Sequence, residues 1–174
     1  MANPAMNAAE KKEVEQSFWY EAGTLVSQGL LYLERGAEFA ADPETYAAAD
    51  ALFESILTKL RSLDSFFQNM GRFPTDADAD DLVPGYSQTI LTSSERRQIN
   101  VRVAHLTYLR PPAHAWDIGE MVRRGLEACA AFMKAAGVAG RDNWSTRLAE
   151  IEQTLKAWTY DDVRTENDSH AFRP

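Results

Sequence analysis

The sequence predicts an all-α protein, an antiparallel bundle of four to five helices. Apolar residues recur at three- and four-residue steps over long stretches, whereas strand-like alternation, hairpin signals and internal repeats are absent. Helix-starting and helix-stopping residues also fall where those stripes begin and end. At 174 residues, 45% of them hydrophobic, the chain can bury one core without disulfides or metal. Residues 1–158 are expected to form a single bundle domain, and the polar residues 159–174 a frayed tail.

The first helix is expected over about Ala8 to Ala40, with Phe18, Ala22, Leu25, Val26, Gly29 and Leu33 on one stripe. Gly23, Gly29 and Gly36 weaken it or let another helix come close, and a break is expected near Gly36. Asp42-Pro43-Glu44 reads as a restart, with Asp42 as N-cap and Pro43 in the first helical position. The second helix then covers about Glu44 to Met70, its stripe formed by Leu52, Ile56, Leu60, Leu63, Phe67 and Met70, with Gly71 as the stop. Residues 72–91 carry Pro74, Pro84, Gly85 and the acidic run Asp76, Asp78, Asp80, Asp81, and read as a long solvated loop. That run lacks the glycine and terminal glutamate of a calcium loop.

Thr92 and Glu95 are spaced as a capping box at the start of a central helix that stops before Pro111-Pro112. Its stripe of Ile99, Val103 and Leu106 faces away from Val101, Ala104 and Tyr108, so the helix is apolar nearly all round and needs cover on several sides. A fourth helix follows Trp116-Asp117 to about Ala136, with Ile118, Val122, Cys129 and Phe132 inward and Gly137 as stop. Asp142 or Asn143 caps a fifth, in which Trp144, Leu148, Ile151, Leu155 and Trp158 are inward. Leu52, Ile56, Leu60, Val103, Leu106, Leu148, Ile151 and Leu155 are the expected core.

Composition narrows the function. The only cysteine, Cys129, lies among alanines and reads as a packing residue; a disulfide framework or thiolate cluster within one chain is excluded. No signal-peptide core and no membrane-length apolar run is present, so the cytoplasm is the expected compartment and no membrane partner is expected. A net charge of −8 argues against general nucleic-acid coating. The charge is uneven, however: residues 95–124 hold six arginines against three carboxylates, whereas residues 1–94 hold 6 basic against 15 acidic residues. A local field decides where an anion binds.

The candidate site lies in that basic stretch. Arg102 and His105, three residues apart, reach one pocket if the segment is helical, and Asn100 adjoins them. An imidazole beside a guanidinium suits phosphodiester chemistry, with His105 moving protons and Arg102 stabilising charge on phosphorus. On the second helix, Glu54, Arg61 and Asp64 form either a surface ion-pair ladder or a polar network reaching across to Arg102 or His105. The ordinary alternative is that His105 is a hydrogen-bonded core residue. His114 and His170 carry no signal, and no metal or other cofactor is expected, since no histidine pair has ligand spacing.

The run ALFESILTKLRSLDSFF from Ala51 to Phe67, the acidic Asp80-Asp81 loop and INVRVAHLTY from Ile99 to Tyr108 together resemble bacterial HEPN-like proteins over residues 44–135. The resemblance implies an all-helical, commonly homodimeric bundle. Many members are metal-independent endoribonucleases of toxin–antitoxin or phage-defence systems, so RNA or a nucleotide and an antitoxin-like protein are the implied partners. Nuclease members carry an arginine four to six residues before a histidine. His105 carries over, but the position with four intervening residues is Asn100, and Arg102 is closer than the pattern asks. The alternative is a non-enzymatic helical interaction or scaffold protein that forms homodimers or binds a partner protein.

Overall fold

The computed structural model describes residues 6–71, 76–101, 116–137 and 142–157. Among them every regular element is helical: α1 (Ala8–Ala41), α2 (Tyr46–Phe67), α3 (Ala79–Leu82), α4 (Ser93–Ile99), α5 (Ile118–Ala135) and α6 (Asp142–Ala157). The protein is an all-α helical bundle, with two short segments in the long connection between α2 and α5.

α1 starts on a reciprocal cap. Asn7 Oδ1 accepts from the N–H groups of Ala9 and Glu10 at 2.9 and 3.1 Å, and Glu10 Oε2 accepts from Asn7 N at 2.7 Å. The helix runs through Gly36 without the expected break. Loss of helix propensity at one glycine costs about 1 kcal/mol, and packing along the rest of a 34-residue helix outweighs it. Asp42 ends α1 instead of capping the second helix. Its carboxylate accepts from Glu44 N at 3.0 Å, and its carbonyl accepts from the N–H groups of Thr45 and Tyr46. Thr45 Oγ1 donates to the Phe39 carbonyl at 3.0 Å, so residues 42–45, Pro43 included, form a tight turn with Thr45 preceding α2.

α2 stops at Phe67, earlier than Gly71, and Asn69 in the left-handed region (φ 55°) is the residue that ends it. Asn69 N donates to Phe66 O at 3.3 Å and Met70 N to Ser65 O at 3.1 Å, the paired bonds of a Schellman motif. Asparagine tolerates that backbone because its side chain finds local partners: Nδ2 donates to Tyr86 O and Oδ1 accepts from Asp80 N. Met70, expected on the inward stripe, is therefore beyond the helix and exposed.

Cross-helix contacts set the directions. From Tyr32–Phe53 through Gln28–Ser55 and Glu21–Lys59 to Phe18–Phe66, position falls along α1 as it rises along α2, so the two are antiparallel. α5 is likewise antiparallel to α1, with Val122 at Gly29, Gly125 at Leu25 and Phe132 at Phe18. It consequently runs parallel to α2, and residues 68–117 return the chain. Two glycines permit the close approach. A Cβ on Gly29 would stand 2.7 Å from Val122 Cγ1, and one on Gly125 would stand 2.9 Å from both Leu25 Cδ2 and Leu60 Cδ2.

Phe18, Phe66, Phe67 and Phe132 gather at one end of this three-helix core, with Tyr86 edge-on to Phe132 and tilted against Phe67. α6 adds Ile151 to the core and joins α5 through Lys134–Glu152 at 2.7 Å. Of the expected core, Ile56, Leu60 and Ile151 are buried and Leu52 is half-buried. Val103 and Leu106, the side chains of Trp144, Leu148 and Leu155, Trp158 and the tail 159–174 lie outside the described residues. α2 buries more than its expected stripe, adding Phe53 and Leu57, because both α1 and α5 cover it.

Candidate functional site

Asp64 is the one buried charged residue among those described, 1% exposed. It sits on α2 between Leu60, Leu63 and Phe67, at a helical position that faces the core. An ionised carboxylate there needs full compensation, and it has five donors. Oδ1 accepts from Gln68 Nε2 at 2.8 Å, Ile90 N at 2.9 Å and Leu91 N at 3.1 Å. Oδ2 accepts from Arg96 Nε and Nη2, each at 2.9 Å. The surface ladder through Glu54, Arg61 and Asp64 is therefore not what forms. Asp64 instead anchors the chain entering α4, and its cross-chain partner is Arg96 of that helix.

A second arginine holds the same segment from the other side. Arg124 of α5 donates from Nη1 to Ile90 O at 2.9 Å and from Nη2 to Glu95 Oε1 at 2.6 Å. Glu95 Oε2 accepts from Thr92 N while Thr92 Oγ1 accepts from Glu95 N, which is the expected capping box. Burial opposes ionisation of Glu95, but the bonds from Arg124 and Thr92 outweigh it, so its carboxyl lies below the ordinary value.

Beside this seam a cleft of about 610 Å³ opens between the C-terminal half of α2, residues 76–78 and α4. Arg61, Ser62 and Ser65 line it from α2, Asp76 and Asp78 from the loop, and Arg96 and Asn100 from α4. Arg96 is committed to Asp64. Arg61 has no ion pair among the described residues and is half-buried, which leaves its guanidinium free to meet a ligand. Asn100 opens a π-helical turn with Val101 at the end of α4, and its Oδ1 is buried with no hydrogen-bond partner among the described residues. Such turns are frequent at functional sites, and a buried unsatisfied acceptor calls for an explanation.

The acidic run is not a freely solvated loop. Asp78 Oδ1 accepts from Gly71 N at 3.1 Å, Asp81 Oδ2 from Asp78 N at 3.0 Å, and Asp80 Oδ1 from Gly85 N at 2.5 Å. These bonds fold it around α3. Burial first, then the neighbouring carboxylates, raises the Asp78 carboxyl above its ordinary value, with the Gly71 N–H opposing.

Of the residues expected at the site, the structure brings Arg61 and Asn100 into one cleft. Glu54 is exposed two turns back along α2 and does not line it. Arg102 and His105 lie outside the described residues. Ser62, Ser65 and Arg96 were not singled out from the sequence, although Arg96 belongs to the arginine-rich stretch. Cys129 is fully buried and its thiol is pushed up to about 12 by burial, as suits a packing residue. Among the described residues no group of three or more His, Cys, Asp or Glu could hold a metal ion, and no helix is long and apolar enough to cross a membrane. Comparison with protein-family models, with curated proteins and with solved structures returned no match.

Proposed function

We propose that this chain is a HEPN-like protein that binds RNA or a ribonucleotide at the cleft between α2 and α4, with Arg61 taking the phosphate. The observation that carries this reading is Arg61 itself, a half-buried guanidinium without an ion pair among the described residues, in a cleft with Ser62, Ser65 and Asn100. Guanidinium is the side chain best matched to phosphate, and hydroxyls and amides fix its orientation. The volume suits a nucleotide-sized ligand.

In the catalytic form of this reading, cleavage needs no metal. The 2′-OH loses its proton and attacks phosphorus, the P–O5′ bond breaks, and a 2′,3′-cyclic phosphate and a protonated 5′-OH result. His105 serves as base or acid, and Arg102 stabilises the charge that develops on phosphorus. The protein acts in the cytoplasm as a homodimer, with an antitoxin-like protein as its partner; light scattering that gives a strict monomer at high concentration removes the dimer from the proposal.

The test is fluorescence anisotropy with a labelled single-stranded oligoribonucleotide. Arg61→Ala should weaken binding by about tenfold or more, and affinity should fall as salt rises. Binding unchanged in Arg61→Ala overturns the reading. In EDTA, His105→Ala should abolish cleavage of the same RNA while binding and thermal midpoint stay close to those of the unmodified protein; undiminished cleavage removes His105 from the mechanism.

A further inference from the structure

The cleft holds more acceptors than a phosphate site should. Besides Arg61, which has no ion pair among the described residues, the cleft is lined by Asp76, by the carboxylate of Asp78 and by Asn100, whose Oδ1 is buried. Ionised carboxylates only accept hydrogen bonds. A bare phosphate gains from Arg61 and is repelled by the acidic wall, whereas a ligand with an anion at one end and clustered donors at the other satisfies both.

The acidic wall is built in place. A Cβ on Gly71 would stand 3.0 Å from Asp78 Oδ2 and 3.1 Å from Asp76 Cβ, so the wall closes on the end of α2 at a residue with no side chain. The Gly71 N–H on Asp78 Oδ1, at 3.1 Å, fixes the carboxylate while leaving lone pairs for a ligand. Phe66 and the exposed Met70 add apolar surface to the lining of the same cleft.

From this, and resting on the nucleotide reading above, we infer that the cleft selects guanine: Arg61 holds the phosphate, and Asp78 accepts from N1–H and N2–H of the base. Guanine is the only common base whose Watson–Crick edge presents two adjacent donors to one carboxylate. Adenine and cytosine each set one donor beside an acceptor, and uracil sets one donor between two carbonyls, so each brings lone pairs against the Asp78 oxygens. Aromatic and thioether surface favours a stacked base.

Isothermal titration with guanosine, inosine and adenosine 5′-monophosphates tests this on the intact chain. GMP should bind about tenfold or more tighter than AMP, with IMP, which keeps N1–H and lacks the 2-amino group, between them. Asp78→Asn keeps an acceptor for Gly71 N and should erase the GMP preference, while Arg61→Ala weakens all three. The order of the three nucleotides on the unmodified protein gives an answer even if Asp78→Asn does not fold. GMP and AMP binding equally, both dependent on Arg61, overturns guanine selection and leaves the phosphate reading standing. No binding of any nucleotide or of the labelled RNA overturns both.

Discussion

α2 is held on two sides by different physics. Toward α1 and α5 it meets a seam made mainly of phenylalanines, leucines and glycines, crossed by the part-buried Gln28–Ser55 and Lys59–Glu21 pairs. Toward residues 86–96 it meets a seam organised by one carboxylate, Asp64, with Arg96, two backbone N–H groups and, across the segment, Arg124. Apolar contacts tolerate small shifts, because burial has no preferred direction. The polar seam does not, since each donor must stay aligned and a lost partner leaves a desolvated group. The cleft lies on the polar side, where α4 and residues 76–78 are positioned by hydrogen bonds to few atoms.

The largest effects should come from removing the centre of each seam, and they should differ in kind. Asp64→Ala should cost about 3–5 kcal/mol, because it strands Arg96 and the N–H groups of Ile90 and Leu91. Phe132→Ala should cost a similar amount, about 3–5 kcal/mol, through the cavity left among Phe18, Phe66, Phe67 and Tyr86. Denaturant titration of a double-mutant cycle separates them. Asp64 and Arg96 should couple strongly, with Arg96→Met recovering part of the Asp64→Ala loss, while Phe132 and Arg96 should add independently. A loss under about 1 kcal/mol for Asp64→Ala would erase the distinction.

A smaller effect sharpens the apolar side. Gly125→Ala should cost about 1–3 kcal/mol by pressing on Leu25 and Leu60. A thermal midpoint unchanged by that substitution would mean that α1, α2 and α5 are not packed as closely as the structure has them. The smallest tests the polar side by pH. The folded-state carboxyl of Glu95 lies below its ordinary 4.5, so its contribution is present above that value and is lost as pH falls through the folded value. Glu95→Gln should therefore cost on the order of 1 kcal/mol at neutral pH, and the gap should close in acid. A gap that stays constant with pH would assign the loss to the Thr92 cap geometry instead of to charge.

Much of the fold was legible in the residues themselves. The stripes of α1, α2 and α5 place their buried faces because helical periodicity is local, and so is the Thr92–Glu95 capping box. Helix ends were less legible. Asp42-Pro43 carries the composition of an N-terminus yet closes α1, because Thr45 can satisfy the Phe39 carbonyl within the same turn. Gly71 carries the composition of a stop, yet Asn69 stops α2, since its side chain finds Tyr86 and Asp80 across the connection. Asp64 did leave a signal, as a carboxylate occupying an i, i+3, i+4, i+7 stripe with Leu60, Leu63 and Phe67. Which partner compensates it was not local, and Arg96 lies 32 residues on.

The sequence by itself determined that the chain is helical, which stripe of each long helix turns toward the core, and that positive charge concentrates in residues 95–124. These follow from spacing and composition, properties that each segment carries alone. The tertiary structure alone decided that α2 and α5 run parallel, that Arg96 pairs with Asp64 while Arg61 has no ion pair among the described residues, and that Asn100 shares a cleft with Asp78. The reason is physical: a hydrogen bond or an ion pair depends on where a second chain segment arrives, and periodicity specifies which face is buried without naming what covers it.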